Sequence, residues 1–260
     1  MSILVVGSVA LDTVKTPKGK VSRVLGGSAS YFSVSAANFS KVSLVAVVGE
    51  DFDHSYIRLL KRRNINLNGL KKQEGKTFSW SGEYGEDFGD ANTIATNLNV
   101  FADFKPFIPE SLKKHPYLFL ANIDPQLQLN VLQQVNQPKI TACDTMNYWI
   151  NTKQKYLVKL IKKVDIFFLN ESEARLLTQK SNIVSAGKRI LKMGPKVVLI
   201  KKGENGAILF SQKKTFVAPA FLLEKIVDPT GAGDTFAGGF MGHICKAKKL
   251  DFTCLRNAVL

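Results

Sequence analysis

The chain reads as an α/β protein built on a largely parallel sheet with helices on both faces. Three observations predict this. Apolar runs of strand length recur along the sequence, and helical patterns lie between successive runs. At 260 residues and 45% hydrophobic content, the chain also has enough apolar side chain to bury such a sheet. Strands joined through helices pair in parallel, and a parallel sheet must be covered on both faces.

The elements follow in order. Ile3-Leu-Val-Val6 begins a strand near 3–7, and a helical pattern covers 28–39. The next strand lies near 42–48, with a helix near 53–63. Further strands are expected near 117–121, 139–143, 165–169 and 196–201. Helices separate them near 126–135, 151–162 and 171–192. Small and apolar residues from Thr235 to Ile244 suit a buried helix. Leu250 to Leu260 reads as an amphipathic helix with Phe252, Leu255, Val259 and Leu260 on its apolar side, left without a following segment to cover it. Two segments break the rhythm. Residues 11–25 carry strand-like pieces around the turn Pro17-Lys-Gly19. Residues 75–100 are polar and glycine-dotted, with Phe78, Trp80, Tyr84 and Phe88. With no repeat, low-complexity stretch or clear linker, residues 1–260 are expected to form a single domain.

Composition excludes several classes. The net charge of +15 would suit a nucleic-acid partner. The 36 basic residues, however, are scattered in short groups such as Lys61-Arg-Arg63, Lys113-Lys114 and Lys248-Lys249. No zinc-finger spacing or RNA-recognition signature accompanies them. They read as a solvated surface, so no nucleic-acid partner is expected, although such a field steers anionic nucleotides. Cys143, Cys245 and Cys254 show no metal spacing, and an odd count without a secretory leader points to a reducing, cytoplasmic compartment. No stretch approaches the roughly 18 apolar residues of a membrane span, so no membrane partner is expected. His54, His115 and His243 have no acidic or nucleophilic partner in sequence and read as structural or exposed. A P-loop is absent.

The most informative stretch is Asp228-Pro-Thr-Gly-Ala-Gly-Asp-Thr-Phe-Ala-Gly-Gly-Phe240. It reads as a glycine-rich turn entering a helix. Amides near Gly231, Ala232 and Gly233 would face outward as an anion site. Asp234 in the same turn is electrostatically out of place unless it does chemistry. A base that takes a proton from a hydroxyl while the amides hold a phosphoryl group explains both. The structural alternative is a turn shaped by glycine and a helix capped by Asp234.

This segment resembles the C-terminal signature of the ribokinase (PfkB) family of carbohydrate and nucleoside kinases. Three more motifs match in the same order: Gly26-Gly27-Ser28-Ala29 opening an apolar helix, Asn170-Glu171-Ser172-Glu173 after a strand, and Lys202-Gly203-Glu204-Asn205-Gly206 after another. Together they cover nearly the whole chain. The resemblance implies a ribokinase-like fold whose small β-sheet lid, near 11–25 and 75–100, covers the substrate. It implies Asp234 as catalytic base and Gly231, Ala232 and Gly233 as anion hole. Asp12, Gly26, Gly27 and Asn122 would bind substrate, and Lys201 and Gly203 the nucleotide, with Lys201 equally readable as a surface lysine. Asn170 and Glu173 would organise Mg²⁺ through water, or else form a helix-start cap. Asp228 and Thr230 would contact a monovalent cation such as K⁺.

The chain departs from the family pattern at Tyr31, where an asparagine commonly binds the sugar. A tyrosine there stacks on the substrate or shrinks the pocket. The family usually also runs some 40 residues further, so a shortened C-terminus is expected. The resulting expectation is an ATP- and Mg²⁺-dependent kinase that phosphorylates an alcohol group of a sugar or related polyol. One alternative is a nucleoside kinase of the same fold, with Tyr31, Trp80 and Trp149 stacking on a base. Another is a non-catalytic sugar- or nucleotide-binding protein. The resemblance also allows a homodimer through the lid.

Overall fold

The structure, a computed structural model, describes residues 1–89, 91–212 and 214–260. Position 90, within the aromatic 75–100 segment, and position 213 lie outside the described residues. The chain runs β1 (Ser2–Val6), β2 (Ala10–Thr16), β3 (Gly19–Gly26), α1 (Ser28–Ala36), β4 (Lys41–Val48), α2 (His54–Arg62) and β5 (Ile65–Lys72). It continues through β6 (Ser79–Glu83), β7 (Asn92–Asn97), β8 (Tyr117–Leu120), α3 (Pro125–Gln134), β9 (Ile140–Cys143), α4 (Asn147–Thr152), α5 (Gln154–Ile161) and β10 (Ile166–Asn170). It ends with α6 (Glu171–Thr178), α7 (Ile183–Leu191), β11 (Val197–Lys201), β12 (Ala207–Ser211), β13 (Thr215–Ala218), α8 (Ala232–Ala247) and α9 (Phe252–Val259).

The large sheet has the order β13-β12-β11-β10-β9-β8-β1-β4-β5. From β11 to β5 every pairing is parallel, and β12 and β13 add an antiparallel edge. Successive residues of a strand serve opposite cores, which is why the strands read as unbroken apolar runs. Ile3 and Val5 pack with Phe32, Phe119 and Phe240 on one face. Leu4 and Val6 pack with Leu118, Phe167 and Leu157 on the other. The smaller sheet, β3-β2-β6-β7, is the expected lid.

Several expectations are corrected. The helix foreseen over 171–192 is two helices. Gln179 takes a left-handed conformation (φ 55) that ends α6, and Asn182 accepts the Ser185 N–H at 3.0 Å to begin α7. The 151–162 pattern is likewise broken, at Lys153 between α4 and α5. Strands β5, β12 and β13 were not foreseen. β5 and β13 are the two sheet edges, where strands carry exposed residues and lose the fully apolar signature, whereas β12 is an apolar, buried run between β11 and β13 that sequence reading passed over. The apolar face of the last helix is also covered: Cys254, Leu255 and Val259 of α9 are buried in the core shared with α8, while Leu260 stays exposed. The most exposed large apolar side chains among the described residues are Phe221 and Leu222, at 88% and 89%, in the irregular segment before the glycine turn.

Candidate active site

In an open α/β sheet, ligands gather at the carboxyl ends of the parallel strands. The strand order here places a row of functional side chains along that edge. Lys201 ends β11, and its register partner Asn170 ends β10. Asp144 follows β9, and Asn122 follows β8. β1 leads through Ser8 to Asp12 on β2. Ser8, Asp12 and Asn122 border, with the lid, a cavity of about 820 Å³, and Asp144, Asn170 and Lys201 are not in its lining. Asp12, Gly27, Tyr31, Asn122, Thr230, Gly231 and Asp234 all line it.

Two helices begin at this cavity. α1 starts after Gly27, whose φ of 91 and contact with the Ser8 carbonyl leave no room for a Cβ. α8 starts after Gly231 (φ 74), where a Cβ would strike the Tyr31 ring at 2.4 Å. The helices lie against each other through small residues. A Cβ on Gly238 would sit 2.5 Å from the Phe32 carbonyl, and Ser35 Oγ donates to the Thr235 carbonyl at 2.7 Å. The apolar, glycine-dotted sequence of α8 thus brings its amino end beside that of α1.

Of the three amides expected to form an anion hole, Ala232 is a correction. Its N–H closes a turn onto the Pro229 carbonyl at 3.1 Å. The amides of Gly231 and Gly233 have no protein acceptor among the described residues. Asp234 lies in the first turn of α8, half-buried. Burial, then the negative charge of Asp144, push its carboxyl up to about 8 against the pull of Lys201, with Asp12 and Glu173 adding to the rise. Asp12 is 4% exposed and is pushed up to about 6, chiefly by burial. Its Oδ2 accepts the Gly27 N–H at 3.4 Å, while Oδ1 is buried without a partner. Gly26 has to be glycine here, since a Cβ would lie 1.9 Å from that Oδ2. Burial, followed by the charges of Asp12, Asp228 and Asp234, also holds the Tyr31 hydroxyl above its ordinary value.

Lys201 is not a surface lysine. Its Nζ lies 2.7 Å from Asp144 Oδ2, and a Cβ on Gly233 would meet that Nζ at 3.0 Å. Burial pulls this amine down, but Asp144, Glu173 and Asp234 hold it above its ordinary value. Gly203 adopts φ 56 with open space on its Cβ side. Asn170 and Glu173 form a full capping box. Asn170 Oδ1 accepts the Glu173 N–H at 2.7 Å, and Glu173 Oε2 accepts the Asn170 N–H at 2.7 Å. Asp228 is exposed, its Oδ1 accepting the Thr230 N–H at 2.8 Å. Thr230 Oγ1 donates to the Tyr84 hydroxyl at 3.3 Å, joining the glycine turn to the lid.

The lid contributes Phe78, Trp80 and Tyr84 to the cavity, but not Phe88. Tyr148 and Trp149 line the same cavity, with the Trp149 indole N–H donating to Asn122 Oδ1 at 3.0 Å. Sequence reasoning missed Asp144 and Gln128. Asp144 carried one usable signal, a carboxylate directly after an apolar strand. Gln128 is 1% exposed, and its amide holds the carbonyls of Leu120, Ala121 and Asp144. It was hidden in an ordinary helical pattern. The three histidines lie apart from the cavity, and His115 pairs with Ser43 at the opposite end of the sheet.

The family model for pfkB family carbohydrate kinases matches residues 2–259. The chain is 29% identical over 264 residues to a cytidine kinase of Thermococcus kodakarensis, covering 98% of this chain and 92% of that one. It is 24% identical to a nucleoside kinase of Methanocaldococcus jannaschii, over 96% of this chain and 85% of the relative. The crystal structure of a Methanocaldococcus jannaschii nucleoside kinase matches with a TM-score of 0.78 at 22% identity, over 99% of this chain and 87% of that one. An E. coli protein assigned as a ribokinase II and solved with ATP and Mg²⁺ matches at 0.82 and 19% identity, over 99% and 90%.

Proposed function

This chain belongs to the pfkB family of carbohydrate kinases, phosphotransferases whose acceptor is an alcohol group, and from that premise we propose that it transfers the γ-phosphoryl group of ATP to a ribose hydroxyl of a nucleoside. The observation that carries the nucleoside reading is the cavity wall. Trp80, Tyr84, Tyr148 and Trp149 surround a space of about 820 Å³ whose polar floor is Asp12, Asn122 and Asp234. A free sugar has no flat apolar face of a size to need four aromatic rings, whereas a base does. The cytidine and nucleoside kinases among the relatives support the same choice.

The proposed chemistry is assigned residue by residue. Asp12, with one buried oxygen unsatisfied, accepts ribose hydroxyl hydrogens. Gly26 and Gly27 keep the backbone clear, while Tyr31 and Asn122 bound the substrate. Asp234 receives the proton of the attacking hydroxyl. The amides of Gly231 and Gly233 and the Lys201 ammonium stabilise charge on the transferred group. The open side of Gly203 admits the nucleotide.

Mg²⁺ fits this donor set. Beside burial, the carboxylates of Asp144, Asp12 and Glu173 raise the Asp234 carboxyl against the pull of one lysine, a negative surplus that a divalent cation would offset. Among the described residues no cluster of three His, Cys, Asp or Glu could ligate an ion directly. Asn170 and Glu173 would be the residues to hold Mg²⁺ through water. The ion would neutralise charge on the phosphates. Asp228, whose Oδ1 accepts the Thr230 N–H, keeps Oδ2 free among the described residues, and with Thr230 it would contact a monovalent cation such as K⁺.

A panel of cytidine, uridine, adenosine, inosine, ribose and fructose 6-phosphate, assayed with ATP and Mg²⁺, tests this reading. At least one nucleoside should exceed ribose in kcat/KM by about a hundredfold, the scale set by losing a well-made set of binding contacts. Turnover confined to the free sugars would replace the nucleoside by a sugar acceptor.

A further inference from the structure

The Asp144–Lys201 pair is the buried ion pair of this site, and nothing in the proton transfer itself uses Asp144. Its carboxylate is fixed by the rigid edge of the sheet. The Asp144 N–H donates to the Leu120 carbonyl at 3.0 Å, its own carbonyl accepts from Gln128 at 3.2 Å, and its Oδ1 accepts the Thr145 N–H at 2.9 Å. At 2% side-chain exposure it has no room to turn. Lys201 is the mobile partner, a four-carbon stem whose ammonium carries three N–H donors. One of them is spent on Asp144 at 2.7 Å. The same ammonium lies against Gly233, at the unpaired amides that open α8. We propose that Asp144 is a positioning residue that pins the Lys201 ammonium over the amino end of α8, so that its remaining N–H donors reach a phosphoryl group placed there.

The placement has a physical reason. An unanchored lysine beside Asp234 and Glu173 would be drawn down onto those carboxylates, neutralising the base and vacating the anion cradle. An anchor on the adjacent strand end holds the cation to one side. It keeps Lys201 charged and leaves Asp234 available for a proton. The anchor also explains why a carboxylate is tolerated next to an anion site at all. Its charge is spent on Lys201, and the site loses less positive potential than an isolated aspartate would remove.

This inference rests on the kinase reading, and the experiment separates the two. Steady-state kinetics would be measured across pH for wild type, Asp144→Asn, Asp144→Glu, Lys201→Ala and the Asp144→Asn/Lys201→Ala double variant, with thermal unfolding of each as a folding control. Lys201→Ala should lower kcat about a hundredfold, as removal of one donor to a developing anion does. Asp144→Asn should lower kcat roughly tenfold with the nucleoside KM unchanged, and the double variant should be no slower than Lys201→Ala, because both act through one ammonium. The acid limb of kcat/KM reports Asp234, which faces Asp144, Lys201, Asp12 and Glu173. That limb should fall to lower pH in Asp144→Asn and rise in Lys201→Ala, opposite shifts that general damage to the fold does not produce. Asp144→Glu keeps the charge while displacing the ammonium, so it should lose kcat with the limb in place, and it serves if the Asn variant does not fold. Full kcat in both Asp144 variants, or losses that multiply in the double variant, would overturn the inference while leaving the kinase reading intact. A wild-type chain silent on every acceptor overturns both.

Discussion

At the scale of single residues, two carboxyl groups decide what this site does. Asp234 is held up to about 8 by burial and by the neighbouring Asp144. A base must be deprotonated, so kcat/KM should fall as pH drops below about 8 and level off above it. Asp234→Asn keeps the shape and removes proton acceptance. Turnover should fall by roughly two to four orders of magnitude, with ATP affinity nearly unchanged by calorimetry. Near-normal turnover in that variant would assign the base elsewhere. If Asp12, which lines the cavity and carries an unpartnered Oδ1, acts on the acceptor alone, the two ligands should respond differently to its loss. Asp12→Ala should weaken nucleoside binding by about 1–3 kcal/mol, seen as a raised nucleoside KM with the ATP KM unmoved. Equal effects on the two ligands would contradict this. Asp234 was legible in the sequence because it stands in one contiguous glycine-rich turn with Gly231 and Gly233. Asp144 was not, since its importance depends on Lys201, 57 positions away.

At the scale of elements, the short helix α6 and the lid carry separate predictions. The capping box of Asn170 and Glu173 fixes the start of α6 at the carboxyl end of β10. Glu173→Gln preserves the reach of the cap and removes the charge. The Mg²⁺ concentration for half-maximal rate should therefore rise while the thermal midpoint changes little. A superimposable metal titration would reduce the pair to a helix cap. In the lid, Trp80 lies on β6 and lines the same cavity as Trp149. Trp80→Ala should raise the nucleoside KM by about tenfold to a hundredfold, the range of one base–aromatic stack, and leave a free sugar, if accepted, unaffected. An equal rise for both acceptors would show that Trp80 only packs the lid. The lid strands were visible as interruptions of the α/β rhythm. Their pairing was not, because β2 pairs with β6 across more than sixty intervening positions, and no local pattern encodes that.

At the scale of the whole molecule, the same carboxyls tie stability to pH. Asp12 and Asp234 bind protons more tightly folded than unfolded, where the ordinary value is 3.8. The stability this contributes is complete below that value. It is lost as pH rises through about 6 for Asp12 and about 8 for Asp234. Urea unfolding should therefore show stability from these groups declining between about pH 4 and pH 8 and levelling off above. Asp234→Asn should flatten the upper part of that decline and be more stable than wild type above pH 8. A variant whose pH dependence parallels wild type would mean that Asp234 is not held protonated in the free protein. This stability, given up at working pH, is the cost of placing acids where chemistry needs them.

The sequence by itself determined the layered architecture and the catalytic turn. Buried parallel strands must be apolar on both faces, and a glycine-rich helix start needs its residues side by side, so both are written in consecutive positions. It did not determine where α6 gives way to α7, since a left-handed Gln179 is a choice made by packing and not by residue type. Nor did it reveal the edge strands, whose polar alternation matches that of a loop. Only the tertiary structure decided that Lys201 points inward onto Asp144, that Ala232 spends its amide on a turn, and that tryptophans from the lid and from α4 face one cavity. The physical reason is the same for each. Charge pairing, amide satisfaction and cavity shape depend on which strand ends lie next to one another, and the sheet order β11-β10-β9-β8-β1 brings together residues that the chain keeps far apart.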